Sequence, residues 1–409
     1  SNSRMPNERY GDVQAQIAAN RVGKRRMIST YRRYGAVMLE SMKELQRYTQ
    51  RRLRAGIQGL PDGDYSFEDF MDDAGVGSAE PVRICVNIHI RGDEMTLDFT
   101  GTHQQVPGPV NMTFNGLLAT VFYSLKALID PTIPSNAGIY RSFRVIAEPG
   151  LIVSAVDPAP VGERIDSAMR TADVIFGAMA KAVPQRAIAG CNSSCTSAIF
   201  SGHDSRLQGQ FYVYLETIAG GSGATMHGDG LSGVQVHMTN TSNLPIEALE
   251  MEFPLVLVQK YALRPDSGGA GRYRGGLGIE RVFEAQFANI SFTGLGDRQV
   301  FPPWGIEGGQ AGLGGAYYLT RRGKSPVRLP SKCNDIEMLA GDTVAVLTPG
   351  AGGYGQAFDR DPQAVLVDVI DGKVSVEAAR RDYGVAVYPH EETYELSEDE
   401  TQQLRASFQ

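Results

Sequence analysis

The stretch "VRICVNIHIRGDEMTLDFT", Val82 to Thr100, decides how this chain is read. Val82, Ile84, Val86, Ile88 and Ile90 share one face, while Arg83, Cys85, Asn87, His89 and Arg91 share the other. A period of two belongs to a half-buried strand. "RGDE" turns the chain, and Met95, Leu97 and Phe99 continue the alternation, so residues 82–100 are expected to form a β-hairpin with His89 on its polar side.

Upstream, residues 11–60 read as helical, broken at Gly35, with Met38, Met42, Leu45 and Leu53 near a 3.6 period. That predicts a helical hairpin. Its basic cluster, Lys24, Arg25, Arg26, Arg32 and Arg33, reads as a solvated face and is assigned no chemistry. Downstream, Leu117, Val121, Phe122, Leu125 and Leu128 mark one amphipathic helix before Asp130-Pro131, and Ile165, Met169, Ala172, Ile175 and Met179 mark another before Pro184. "QFYVYLET" (210–217) and "GVQVHMTN" (233–240) alternate as strands, whereas "SGHDSRLQGQ" (201–210) reads as a hairpin tip.

After Pro265 the chain turns to short apolar runs broken by "DSGGAGRYRGGLG", "PPWGIEGGQAGLGG" and "TPGAGGYGQ", the turn density of a β-rich domain. An amphipathic segment, 362–387, closes it, and the acidic "PHEETYELSEDETQQ" is expected to be a solvated or partner-draped tail. The fold class is α+β: a helical hairpin (1–60), a central mixed α/β region (61–265), a glycine-rich β domain (266–388) and an acidic tail (389–409).

With 409 residues, two or three domains are the prior, and a large core is within reach. Lys+Arg 39 against Asp+Glu 46 gives a net charge of −7, which argues against a nucleic-acid footprint or an anionic membrane surface as partner. No stretch approaches the roughly 18 apolar residues of a membrane span. Four cysteines do not make a disulfide framework, and free thiols suit a reducing cytoplasm.

Chemistry is densest in "ETIAGGSGATMHGDG", Glu216 to Gly230, where five glycines lie beside two carboxylates and a histidine. Glu216, His227 and Asp229 are the candidate acid–base groups, and Asn111, Gly220, Gly221 and Gly223 the candidate substrate or anion contacts. Ordinary glycine turns with a surface histidine are the competing reading. His237 either lines the same cavity or is a satisfied structural residue. "RGKS" (322–325) fails as a phosphate loop, because Tyr318 stands where its first glycine belongs and Pro326 where its helix begins. Cys191 and Cys195 lack the second ligand pair of a zinc site.

Several segments, in order, resemble one family. "GDVQAQIAANRVGKRR" (11–26), "LDFTGTHQQVPGPVN" (97–111), "LIDPTIPSNAG" (128–138), "NLPIEALEMEFPL" (243–255), "RPDSGGAGRYRGGLG" (264–278), "FPPWGIEGGQAG" (301–312), "TPGAGGYGQAFDRDPQAV" (348–365) and "DGKVSVEAARRDYGV" (371–385) look like the hydantoinase B/5-oxoprolinase family, related to the α subunits of acetone and acetophenone carboxylases. The resemblance implies a B-type catalytic subunit, here its C-terminal portion, in a cytoplasmic hetero-oligomer. A hydantoinase A-like, ATP-binding partner would phosphorylate a cyclic amide, and this subunit would complete its hydrolysis. A ketone-carboxylase α-type subunit and a non-catalytic scaffold fragment stay open as alternatives. The resemblance also implies a divalent metal, Zn or Mn, on His/Asp-rich motifs that precede "GDVQAQIAANR"; no metal ligand is therefore expected on these residues.

Overall fold

The computed structural model describes residues 6–407 apart from 76, 205–208, 240, 254, 255 and 288. Two helices open it, α1 (Pro6–Tyr34) and α2 (Ala36–Gln58), joined at Gly35, whose φ of 58° needs a residue without Cβ. No residue of α1 is buried, whereas α2 buries Thr49, Leu53 and Ile57 toward its end. Both helices stand where the sequence places them, but only the far end of α2 is fastened to the core.

The hairpin read from Val82 to Thr100 forms as β2 (Val82–Arg91) and β3 (Glu94–Asp98), with Arg91 opposite Glu94 across the turn. It sits inside a four-stranded sheet, with β1 (Gly63–Met71) antiparallel to β2 and β4 (Phe143–Ile146) parallel to β3. His89 stays on the polar side, 2.7 Å from Asp64. Helix α3 (Phe114–Ile129), capped by the Thr113 hydroxyl accepting from Gly116 N–H, packs with α4 (Arg164–Ala180) on the apolar side. Every residue of α4 from Asp166 to Ala180 is buried. Three of them, Asp166, Arg170 and Asp173, are charged and need partners inside.

A second core lies between two sheets. One has the order β12 (Lys332–Met338), β9 (Ile290–Leu295), β5 (Ser197–Asp204), β6 (Gln210–Thr217). The other runs β11 (Val327–Leu329), β10 (Ala316–Thr320), β13 (Thr343–Leu347), β8 (Ile279–Ala285), β7 (Val256–Leu263). Phe200 joins them, with ring centroids 5.0 Å from Phe283 and 5.3 Å from Phe292. Burying each such ring contributes about 1.5–3 kcal/mol. The tip expected at 201–210 joins β5 to β6, and residues 205–208 lie outside the described set.

The structure corrects three expectations. "GVQVHMTN" is not a strand: Val234 alone bridges to Gly220, and the chain then folds inward at His237, where φ is 54°. The glycine-rich segments are not chiefly turns, because glycines 220, 221, 223, 269, 275 and 276 are absent from the positive-φ positions. They are glycine because backbones touch there. A Cβ on Gly221 would lie 2.1 Å from the Gly276 carbonyl oxygen, and one on Gly275 1.9 Å from that of Ala351. The acidic tail, finally, is folded. Helices α6 (Pro362–Ile370) and α7 (Val376–Tyr383) lead into a hairpin of β14 (Ala386–His390) and β15 (Thr393–Ser397), then α8 (Glu398–Ser407). Thr401 accepts from Ala386 N–H and Arg405 donates to the Arg360 carbonyl, which docks the end onto the body.

Among the described residues no helix is long and apolar enough to cross a membrane, and all four cysteines are free thiols.

Candidate functional site

Glu216, His227 and Asp229 stand in three different environments. Glu216 ends β6 and is buried: its Oε2 accepts from the Tyr214 hydroxyl at 2.6 Å, and its Oε1 pairs with Arg281 at 3.1 Å. Burial raises its pKa against the opposing pull of Tyr214 and Arg281. It acts here as an internal ion-pair partner. His227 is exposed, its own amide turned back onto the Thr225 hydroxyl. Asp229 receives Arg360 through both oxygens, at 2.6 and 2.7 Å, and accepts the Arg274 amide at 2.7 Å. Despite the cost of burial, these bonds hold its pKa below the usual carboxylate range.

The glycine amides are engaged inside the protein. Gly220 N–H donates to the Val234 carbonyl, Gly221 N–H to that of Pro349, and Gly223 N–H to the Cys191 sulfur. The loop therefore offers no free row of donors to an anion, and the expectation of an amide-lined pocket at 220–223 is corrected. Asn111 is fully buried and spends its amide on the backbone of Val106, Gly108 and Pro160, pinning a loop. Next to His227 in the chain, Gly228 and Asp229 line a cleft of about 410 Å³ together with Arg272, Tyr273, Asp359, Arg360, Asp361 and Ala364.

The strongest constellation was not singled out from the sequence. Asp173 of α4 accepts from Arg298 at 2.5 Å, from the Ser193 hydroxyl at 2.5 Å and meets His237 Nε2 at 2.9 Å. Tyr123 closes on His237 Nδ1 at 3.4 Å, and Phe176 stacks on its ring at 5.6 Å. Burial opposes a charge on His237, but Cys191 and Asp173 outweigh it and hold the imidazole well above its ordinary pKa. Burial likewise opposes charge on Asp173, and His237 and Arg298 overcome it, leaving the carboxylate strongly depressed. Of the two readings of His237, the structure gives the satisfied buried residue.

Asp173, Cys191 and His237 also form the one metal-sized group of donors among the described residues. A dication does not fit them. Both Asp173 oxygens already face positive charge, and a metal would have to share that carboxylate with the Arg298 guanidinium.

Seven residues earlier on α4, Asp166 accepts the Cys195 amide at 2.6 Å through Oδ1, while its Oδ2 has no hydrogen-bond partner. Burial and the nearby Glu163 and Asp297 push its carboxyl up to about 8, and burial takes Glu163 to about 7. Asp72 rises to about 6 through burial and Asp297, although it caps the amides of Gln299, Val300 and Phe301. Lys332, 3.4 Å from Asp73, and Arg170, 2.8 Å from Asp297, supply the compensating charge. The available signal was Asp166, Arg170 and Asp173 at i, i+4 and i+7, a charged stripe along a helix whose other positions, after Arg164 at its start, are apolar or small.

Known proteins share both this sequence and this architecture. The family described as "Hydantoinase B/oxoprolinase" matches residues 1–357. A protein of Pseudomonas sp. (strain NS671), provisionally named as the B component of a D-/L-hydantoinase, is 34% identical over 417 residues, covering 99% of this chain and 69% of its own length. The crystal structure of ATP-dependent caprolactamase from Pseudomonas jessenii superposes with a TM-score of 0.87 at 30% identity, over 97% of this chain and 69% of that one. Acetone carboxylase in its nucleotide-free form shares the fold, with a TM-score of 0.78 at 20% identity over 88% of this chain and 54% of that one.

Proposed function

The chain belongs to the hydantoinase B/oxoprolinase family, and from that premise we propose that it is the B-type component of an ATP-dependent cyclic-amide hydrolase. The observation that carries the reading is its likeness to the caprolactamase, which exceeds the likeness to acetone carboxylase in identity, coverage and TM-score.

In this reading ATP is bound by a hydantoinase A-like partner, which transfers the γ-phosphoryl group to the carbonyl oxygen of the ring amide. The amide becomes an O-phosphorylated imidate, whose carbon is more electrophilic than that of the amide and carries phosphate as a leaving group. Water then adds to that carbon and the C–N bond opens to give an amine and an acyl phosphate. A second water attacks the acyl carbon, the C–O bond to phosphate breaks, and a carboxylate and inorganic phosphate are released. Phosphoryl transfer is governed by positioning and electrostatics, which suits a division between two subunits. The divalent metal that the resemblance implies does not fit the residues described here, and no step is assigned to it.

Within this chain the cleft beside His227 and Asp229 is the proposed contact to the activated substrate. Arg272 lines it and lies 5.7 Å over the Tyr273 ring, so it presents a guanidinium to a phosphorylated ligand. Arg360 is already held by Asp229 and Asp368 and keeps the cleft in shape.

The assembled complex of both subunits should release ADP in step with ring-opened product when given hydantoin, 5-oxoproline or caprolactam, and should not fix bicarbonate onto acetone. ADP release coupled to acetone and bicarbonate, with every cyclic amide inert, would overturn the assignment in favour of a carboxylase.

A further inference from the structure

Helix α1 is 29 residues long, about 43 Å at 1.5 Å per residue, and buries nothing. Yet Tyr10, Val13, Ile17, Met27, Tyr31 and Tyr34 are apolar and between 37% and 67% exposed. These positions belong to one series, 10, 13, 17, 20, 24, 27, 31 and 34, with alternating steps of three and four. That spacing is the 3.5-residue repeat of a helix that packs along another helix. Asn20 and Lys24 occupy the two interior positions of the series, where a polar residue selects a partner at some cost in stability. The apolar face continues past Gly35 into α2, where Tyr34, Val37, Met38, Met42 and Leu45 line a shallow apolar groove of about 360 Å³.

Charge says what covers this face. Seven basic and two acidic residues lie between Pro6 and Tyr34, in a chain whose net charge is −7. Arg21, Lys24, Arg25, Ile28 and Arg32 line a second groove, of about 370 Å³, directly beside the apolar series. A second copy docking through the same face would bring one basic helix against another. An acidic surface meets no such penalty.

We infer that α1 and the start of α2 form the docking surface for an acidic, helical face of the ATP-binding partner, an inference that rests on the two-subunit reading above. The apolar series supplies the buried seam, and the Arg21–Arg32 edge pairs with carboxylates on the partner.

The test mixes the chain with that ATP-binding partner and measures association by sedimentation velocity. Two variants are compared with the wild type: Ile17→Glu/Tyr31→Glu in the seam, and Arg21→Glu/Arg25→Glu/Arg32→Glu at its edge. All five side chains are exposed, so thermal unfolding of the isolated chain should be unchanged. Each variant should weaken association at least about tenfold, and raising salt from about 0.1 to about 0.5 M should weaken the wild type as well. Amides of α1 should exchange hydrogen more slowly in the wild-type complex. Association within about twofold of wild type in both variants, with α1 exchanging as in the free chain, overturns this inference and leaves the two-subunit reading standing. No association of the wild type overturns both. Self-association lost in the variants, or cosedimentation of the chain alone with phosphatidylserine vesicles, would assign the face to a second copy or to a membrane and overturn the partner proposed here.

Discussion

Asp166 and Asp173 share one face of α4, both fully buried, and the protein treats them in opposite ways. Around Asp173 two cations converge, Arg298 and His237, and the carboxylate stays ionised. Around Asp166 burial and two other acids, Glu163 and Asp297, outweigh the Cys195 amide and Lys332, so the proton is retained to about pH 8. Residue type and helix are the same. What differs is the sign of the charge that the loops at 191–196, 237 and 297–298 deliver to each end, which is what decides a buried pKa.

The two environments make stability depend on pH in opposite senses. Asp173 titrates below its unfolded value, so its stabilisation is present above about pH 4 and disappears as pH falls through the folded value. His237 titrates above its unfolded value, so its share is complete below about pH 6.5 and declines as pH rises through the folded value. Asp72, Glu163 and Asp166 titrate above theirs, near 6, 7 and 8. The unfolded chain has released those protons by about pH 4–5, so each costs stability as pH climbs from there to its folded value.

The largest effect expected is at Asp173. Asp173→Ala removes the carboxylate that His237 and one arm of Arg298 face, leaving Arg298 only its pair with Asp69, and urea unfolding should show a loss of about 3–5 kcal/mol. Next comes the slope: between pH 5 and 8 the other end of α4 should lower the unfolding free energy by up to about 1.4 kcal/mol per pH unit for each proton involved. The double variant Glu163→Gln/Asp166→Asn should flatten that slope, and an unchanged slope would break the comparison. Lys332→Met removes a cation that faces Asp73 and Asp297 and should cost about 1–3 kcal/mol, more at pH 8 than at pH 5. Asp166→Asn alone imitates the protonated acid and should stay within about 1 kcal/mol of wild type at pH 7. Asp12→Ala, which breaks the exposed pair with Arg9, should move stability by less than about 0.5 kcal/mol.

The sequence disclosed the elements whose own periodicity carries them. The β2–β3 hairpin, α3, α4 and β6 stand where alternation or a 3.6 period put them. Periodicity says nothing of contacts distant in sequence, and the site is built from those: Asp173 meets Arg298 from 125 residues away and His237 from 64. Residues 233–240 alternate like a strand, yet the capture of His237 by Asp173 draws them inward. The glycines misled for a related reason. Composition shows that Cβ is missing but not why, and here the reason is contact between chains such as 221 against 276 and 275 against 351 rather than the sign of φ. Asn111, expected as a substrate contact, and Glu216, expected as an acid–base group, are both spent on internal bonds.

The central claim is that this chain opens a ring whose carbonyl oxygen its partner has phosphorylated. It is tested most directly by giving the assembled complex a cyclic amide labelled with ¹⁸O at that carbonyl and analysing the released phosphate by mass spectrometry. The account predicts one labelled oxygen in each phosphate, carried over when the C–O bond breaks. Label found only in the product carboxylate, with unlabelled phosphate, would contradict it.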